Sequence, residues 1–223
     1  MRSFLTLSLL AAAVGAQAPA LDAGSFTLSR DGERIGRESF SVRRSAAAPG
    51  SPLLLQGTAT RGSTRSTLAL STDAEGAPIK LQVEQRADGR VVAALSAEGG
   101  RGRFSARIRS DEVESAREFP LPEHAILLDD RFVHPFAVVV ARAGGARREL
   151  TVVQPTRAGV ATLSIEPMEG ERLTIADTPI DAKRWRITSA DGRNWTVWSD
   201  RDGRLLKVAL PDGSVAVRDL PPE

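Results

Sequence analysis

His124, Asp129, Asp130 and His134 are the residues whose types and closeness in the chain could do chemistry, since imidazoles and carboxylates serve as metal ligands and as acid–base partners. Their spacing matches no metal-ligand pattern. Both histidines sit beside prolines at the ends of a segment, which reads as surface or capping positions, and sequence leaves open whether the four form a site. There is no Gly-x-Ser-x-Gly elbow, no Gly-x4-Gly-Lys-Ser/Thr loop and no His-Glu-x-x-His pair. With no cysteine in 223 residues, thiol nucleophiles, disulfides, Cys-ligated zinc, iron–sulfur clusters and cysteine lipid anchors are excluded. Only a dispersed carboxylate site could make this chain an enzyme, for instance a hydrolase or glycan-active enzyme. The reading leans away from one and expects no cofactor and no metal.

Two further patterns suggest binding. Arg101, Arg103, Arg107 and Arg109 recur at alternate positions, as a polyanion stripe would. A two-residue turn at Ser110-Asp111 would set Arg109, Arg107 and Arg103 opposite Glu112, Glu114 and Glu118, with Ile108 against Val113, making a self-neutralised ladder. All three tryptophans lie between Trp185 and Trp198 in a chain with only seven Phe and no Tyr. Trp185 and Trp195 fall on the expected core face. Trp198 points the other way, opposite Lys207, and those two are the candidate contacts for a partner, lipid or sugar.

Charge adds little to this. Thirty Lys and Arg exceed 28 Asp and Glu by two, yet the isoelectric point is about 9.6. Without Cys or Tyr, and with only Lys80, Lys183 and Lys207 as lysines, few groups titrate between neutrality and the lysine range. The basic isoelectric point reports missing titratable groups and does not point to nucleic acid.

The elements that must position these residues are mostly strands. Met1-Arg2, the apolar run Phe4 to Val14 and the small residues Gly15 to Ala18 have the layout of a secretory signal peptide cut after Ala16. The run is too short to span a bilayer and no later segment is long enough. The expected product is one exported domain, residues 17–223, periplasmic or extracellular, soluble and without a lipid anchor on cysteine. Asp-Gly occurs at residues 31, 88, 191, 202 and 212, each time between short segments of alternating polarity, the strongest local signal for a hairpin. Hairpins over residues 25–119 and a meander over 149–220 follow, with separate strands at 160–166 and 171–176. In the meander, loops of three, two and four residues at 190–192, 202–203 and 211–214 align Trp185, Ile187, Trp195, Val197, Val208, Val215 and Val217 on one face. Between them, an insert over 123–145 reads as a helix from about Arg131 to Ala143, apolar along Phe132, Phe136, Val139 and Val140 and closed by Gly144-Gly145. A buried strand over 136–142 is the rival reading, since Val-Val-Val favours β.

The predicted fold is therefore mainly β: a curved antiparallel sheet or open half-barrel of about 11–14 strands with one central helix, the alternative being a two-sheet sandwich. The stretches Gly24 to Phe40 and Trp198 to Gly213 resemble exported bacterial β-proteins of unassigned function, similar in outline to the LolA/LolB lipoprotein carriers. That resemblance implies a curved sheet wrapping an apolar cavity closed by helices, and it carries no functional residue across. The expected function is a non-enzymatic exported module holding a hydrophobic or lipid-like ligand, with Phe132, Phe136 and Val140 as further contact candidates. The alternative is an envelope interaction or scaffold protein with no small ligand. An apolar cavity between sheet and helix would favour carriage and a filled interior the alternative.

Overall fold

A computed structural model describes residues 20–46, 48, 50–100, 102–110, 113–155 and 159–223. The signal-peptide expectation for 1–16, the start at residue 17, and Arg101, Asp111 and Glu112 lie outside them. Strands β1 (Ala20–Arg30), β2 (Glu33–Arg44), β3 (Leu53–Arg61), β4 (Thr64–Thr72), β5 (Pro78–Ala87), β6 (Arg90–Gly100), β7 (Arg103–Ser110) and β8 (Glu114–Pro120) come first. The short β9 (Ile126–Leu127) and helix α1 (Phe136–Ala143) follow, then β10 (Arg148–Gln154), β11 (Gly159–Ile175), β12 (Thr178–Ser189), β13 (Asn194–Ser199), β14 (Leu205–Ala209) and β15 (Val215–Arg218).

All fifteen strands form one open sheet in the order β8-β7-β6-β5-β4-β3-β2-β1-β15-β14-β13-β12-β11-β10-β9. The half-barrel outline holds, with more strands than expected, and the described residues form a single sheet. Every neighbouring pair is antiparallel except β9 with β10. The two-residue β9 carried too little alternation to be recognised, and β11 runs unbroken where two strands were expected. Its Met168/Glu171 bulge keeps the ladder with β12 going through a change of twist.

The inner face follows the alternation of each strand. Phe26 and Leu28, Phe40 and Val42, Leu68 and Leu70, Leu81 and Val83, and Phe104 and Ala106 are all buried in the main core, as are Ile165, Trp185, Ile187, Trp195, Val197 and Val208. Burying one such large apolar side chain is worth about 1.5–3 kcal/mol. Helix α1 fills the concave side, with Val139 and Ala143 fully buried in the same cluster. It is shorter than expected, because residues before Phe136 stay in turns: the Val133 and His134 amides bond to a sheet carboxylate, and Pro135 caps the first turn. Gly144, with φ 60°, ends the helix in the left-handed region.

The first and last strands join at the middle of the sheet, where Phe26 pairs with Arg218 and Leu28 with Ala216. Ser25 and Thr27 hydroxyls donate to Asp219 at 2.5 and 2.7 Å, and Arg37 adds a third donor. Arg218, nearly buried, holds Asp22 at 2.7 Å and donates to the Ala23 carbonyl.

Two registers differ from expectation. Trp185 pairs with Val197, Ile187 with Trp195 and Val197 with Val208, as the pattern implied. The 200–204 turn, however, has three residues, Arg201 to Gly203, and a bulge at Trp198/Ser199 restores the register. The last turn is also three residues, Pro211 to Gly213, closed by Ser214 and Leu210. The missing residue rotates β15 by one position, so Ala216 faces the core while Val215 and Val217 do not. In β7–β8, the Ser110 amide bonds to the Val113 carbonyl, which places Arg109 opposite Glu114 and Ile108 opposite Ser115. The charge pairing survives on the diagonal, with Arg103–Glu118 at 2.6 Å and Arg107–Glu114 at 3.5 Å.

Candidate functional site

The four central residues of the sequence reading do not converge. His124 is exposed, in a positive-φ turn near Glu123. Asp129 is buried and caps its own turn, accepting from the Arg131 amide and guanidinium. Asp130 pairs with Arg193 at 3.2 Å. His134, expected at the surface, is fully buried. Among the described residues no three His, Cys, Asp or Glu side chains form a metal-holding group.

His134 belongs to a pair that sequence reading missed. Glu38, on the inner face of β2 in phase with Phe40 and Val42, is fully buried. Its carboxylate accepts from the Val133 amide at 2.7 Å and the His134 amide at 2.9 Å, and one oxygen lies 2.7 Å from His134 Nδ1. The imidazole stacks 5.8 Å from Phe40 and meets Phe132 edge-on. It also fills the space over β3 at Gly57, where any Cβ would come within 2.4 Å of the ring. A carboxylate-oriented imidazole is half of an acid–base device. Here Nε2 is buried without a partner, and through the Val133 and His134 amides the pair clasps the helix segment to the sheet. An acidic residue in phase with core positions was the available signal.

Trp198 and Lys207 do face each other, with Nζ 4.5 Å from the ring centre. The indole is almost covered: Nε1 donates to Glu171 at 2.9 Å, and Leu173, Ile175, Ala182 and Leu206 pack around it as a second cluster on the outer face. The Trp198 hydrogen bond, aided by Lys207 and Arg184 and opposed by partial burial, holds the Glu171 carboxyl below its usual range. Phe132, Phe136 and Val140 are core residues packed beneath the sheet.

A wider concavity lies instead on the outer face of the first hairpins, a groove of about 1010 Å³. Its lining follows from register. One row of cross-strand neighbours runs Ser41, Gln56, Ala69, Gln82, Ser96 and Arg107. A second runs Ser39, Thr58, Thr67, Glu84, Ala94 and Arg109, ending at Glu114. At about 4.8 Å per strand, the first row spans six strands and about 24 Å, and the second, with Glu114, seven strands and about 29 Å. The rows present short hydroxyl and amide side chains, which both donate and accept hydrogen bonds, with two arginines at one end.

A smaller pocket of about 210 Å³ opens at one end of the half-barrel, lined by Arg61, Asp130, Phe136, Arg193, Trp195, Leu210, Pro211 and Asp212. The Phe136 and Trp195 rings stand 6.0 Å apart, and Arg193 lies over the Trp195 ring. Phe136, of the expected ligand contacts, and Asp130, of the four candidate site residues, both line this pocket. No described helix is long and apolar enough to cross a membrane.

A family described as Domain of unknown function (DUF6134) matches residues 147–217, the stretch running from β10 into β15 and less than half of the chain. No curated protein and no solved structure matches, so the chain is similar to that domain over its C-terminal meander, and a relationship to the LolA/LolB carriers is not shown.

Proposed function

We propose that this chain is an exported, non-enzymatic interaction module that docks a hydroxyl-rich glycan of the cell envelope in the outer groove of β2–β8. The observation that carries the reading is the pair of cross-strand rows. Seven hydroxyl or amide side chains recur at strand spacing over the five strands β2 to β6, a pattern that suits a polymer bearing hydroxyls along its length. A protein partner would look for aromatic anchors, and the side chains pointing into this groove include none. Carriage of lipid inside the sheet is less well supported, because side chains of α1 and the strands occupy that space. The likeness to LolA/LolB carriers would then be one of architecture, with the interior given over to core.

The test is co-sedimentation with purified, insoluble cell-wall glycan, using Thr67→Trp to obstruct the middle of the groove. Retention should fall roughly tenfold while the melting temperature stays put, since a solvent-facing substitution alters stability little. Unchanged retention would sink the proposal. Native mass spectrometry of protein taken from the envelope should give the apo mass, and a co-purifying lipid would return the reading to carriage.

A further inference from the structure

The pocket at the end of the half-barrel carries an inference independent of the glycan reading. Arg61, the last residue of β3, extends over Gly36 of β2, where a Cβ would stand 3.0 Å from the arginine stem. Its Nε and Nη2 are buried and meet no acceptor in the protein. Those two nitrogens form one edge of the guanidinium, the fork that grips both oxygens of a carboxylate. Arg142 and Arg184 also have a buried unmatched Nε, but each bonds through another nitrogen. Arg61 differs in having a whole edge unmatched.

The neighbouring charges are already engaged. Asp130 pairs with Arg193, and Asp212 pairs with Arg30 and caps the Ser214 amide. The formal charges of the lining balance, Arg61 and Arg193 against Asp130 and Asp212, yet both carboxylates bond to other cations and leave the Arg61 edge open, beside a wall of Phe136, Trp195 and Leu210. Buried guanidinium N–H groups without an acceptor are costly, and a carboxylate arriving there relieves that cost. We propose that the pocket binds a small carboxylic acid, its carboxylate gripped edge-on by Arg61 and its apolar body lying on Phe136 and Trp195.

The probe is 3-phenylpropionate, followed by calorimetry and by tryptophan fluorescence, with 3-phenylpropanol as the uncharged control. The peptide Gly-Gly-Phe, with free or amidated C-terminus, distinguishes a chain end from a free acid as the source of the carboxylate. The acid should bind and the alcohol bind roughly tenfold or more weakly. Arg61→Lys, which keeps the charge and loses the fork, should weaken the acid roughly tenfold, and Arg61→Gln should abolish it. Trp195→Phe should keep the heat of binding and lose most of the fluorescence change. Arg61→Gln should melt no lower than the parent, because it removes a buried guanidinium edge that has no acceptor. Binding of the free peptide alone would support carboxylate recognition with a chain end as the ligand. Equal binding of acid and alcohol, binding by neither acid nor free peptide, full affinity in Arg61→Gln, or a melting point several degrees lower in that variant would each overturn the proposal.

Discussion

The two halves of the sheet use the same Asp-Gly dipeptide to different ends. In the first half, Asp31-Gly32 and Asp88-Gly89 make two-residue turns with positive φ at both residues, 52° and 82° in one and 49° and 79° in the other. Those mirror-image turns match strand twist and join flat hairpins whose outer face stays open and polar. At the Asp-Gly turns of the second half only the glycines, Gly192, Gly203 and Gly213, take positive φ and each turn spans three residues, while Ala176-Asp177 there is a two-residue turn with φ 44° and 65°. There carboxylates close the loops: Asp191 accepts from Ser189 and Arg193, Asp200 from the Arg204 amide and side chain, and Asp212 from Ser214. The second half also buries both faces, the inner against α1 and the outer around Trp198. The contrast separates a surface left free for contact from a frame that holds itself shut.

Breaking the clasp that holds the α1 segment to the first half of the sheet gives the largest expected effect. Glu38→Ala strands the Val133 and His134 amides and the imidazole, and should lower the unfolding free energy by about 3–5 kcal/mol in urea titration. A loss below about 1 kcal/mol would mean that the clasp is incidental. Next comes a test of the two outer faces. Trp198→Ala should cost roughly 3 kcal/mol, because it empties the second cluster, whereas Thr67→Ala on the corresponding face of the first half should stay within about 0.5 kcal/mol. Similar costs would erase the distinction drawn here.

Acid sharpens the same comparison with a smaller effect. Glu171, Asp191, Asp212 and Asp219 are all held below their usual carboxyl range and all belong to the C-terminal meander. For Asp191 the main cause is the Ser189 hydroxyl, with Arg193 adding to it against partial burial. For Asp212 and Asp219 burial is the largest influence and pushes upward. It is outweighed by Ser214 and Arg30 in one case, and by Ser25, Thr27 and Arg37 in the other. A carboxyl whose folded value is depressed contributes stability above its unfolded value, near pH 4, and loses it as pH falls through the folded value. Hydrogen exchange below about pH 4 should therefore show β11–β15 losing protection before β3–β7. The opposite order would contradict the assignment.

Much of this was legible from alternation. Strands β1 to β8 and the Trp185–Val197–Val208 register follow from period-two burial and a turn glycine. The fate of Val215 and Val217 was not, because Leu210-Pro-Asp-Gly-Ser214 reads equally well as three or four residues between strands, and one residue inverts a face. Helix α1 was recognised by its apolar run and its glycines, but its start was set by Glu38, 95 residues earlier. Glu38 itself was visible only as an acidic residue in phase with Phe40. The groove rows needed six registers at once, which no local pattern supplies, and the open edge of Arg61 depends on what its neighbours already bind.

The seam between β1 and β15 bears on how the chain finds this shape. Each half is a run of hairpins between sequence neighbours, contacts that form quickly, while Ser25 and Asp219 are separated by 194 residues. Closing so long a loop costs entropy that grows only logarithmically, about 0.6 kcal/mol per doubling, so the penalty falls on rate more than on final stability. The pairing of β1 with β15 is therefore the most non-local step in the sheet, and the Asp219 and Arg218 contacts are the latch on that central ladder.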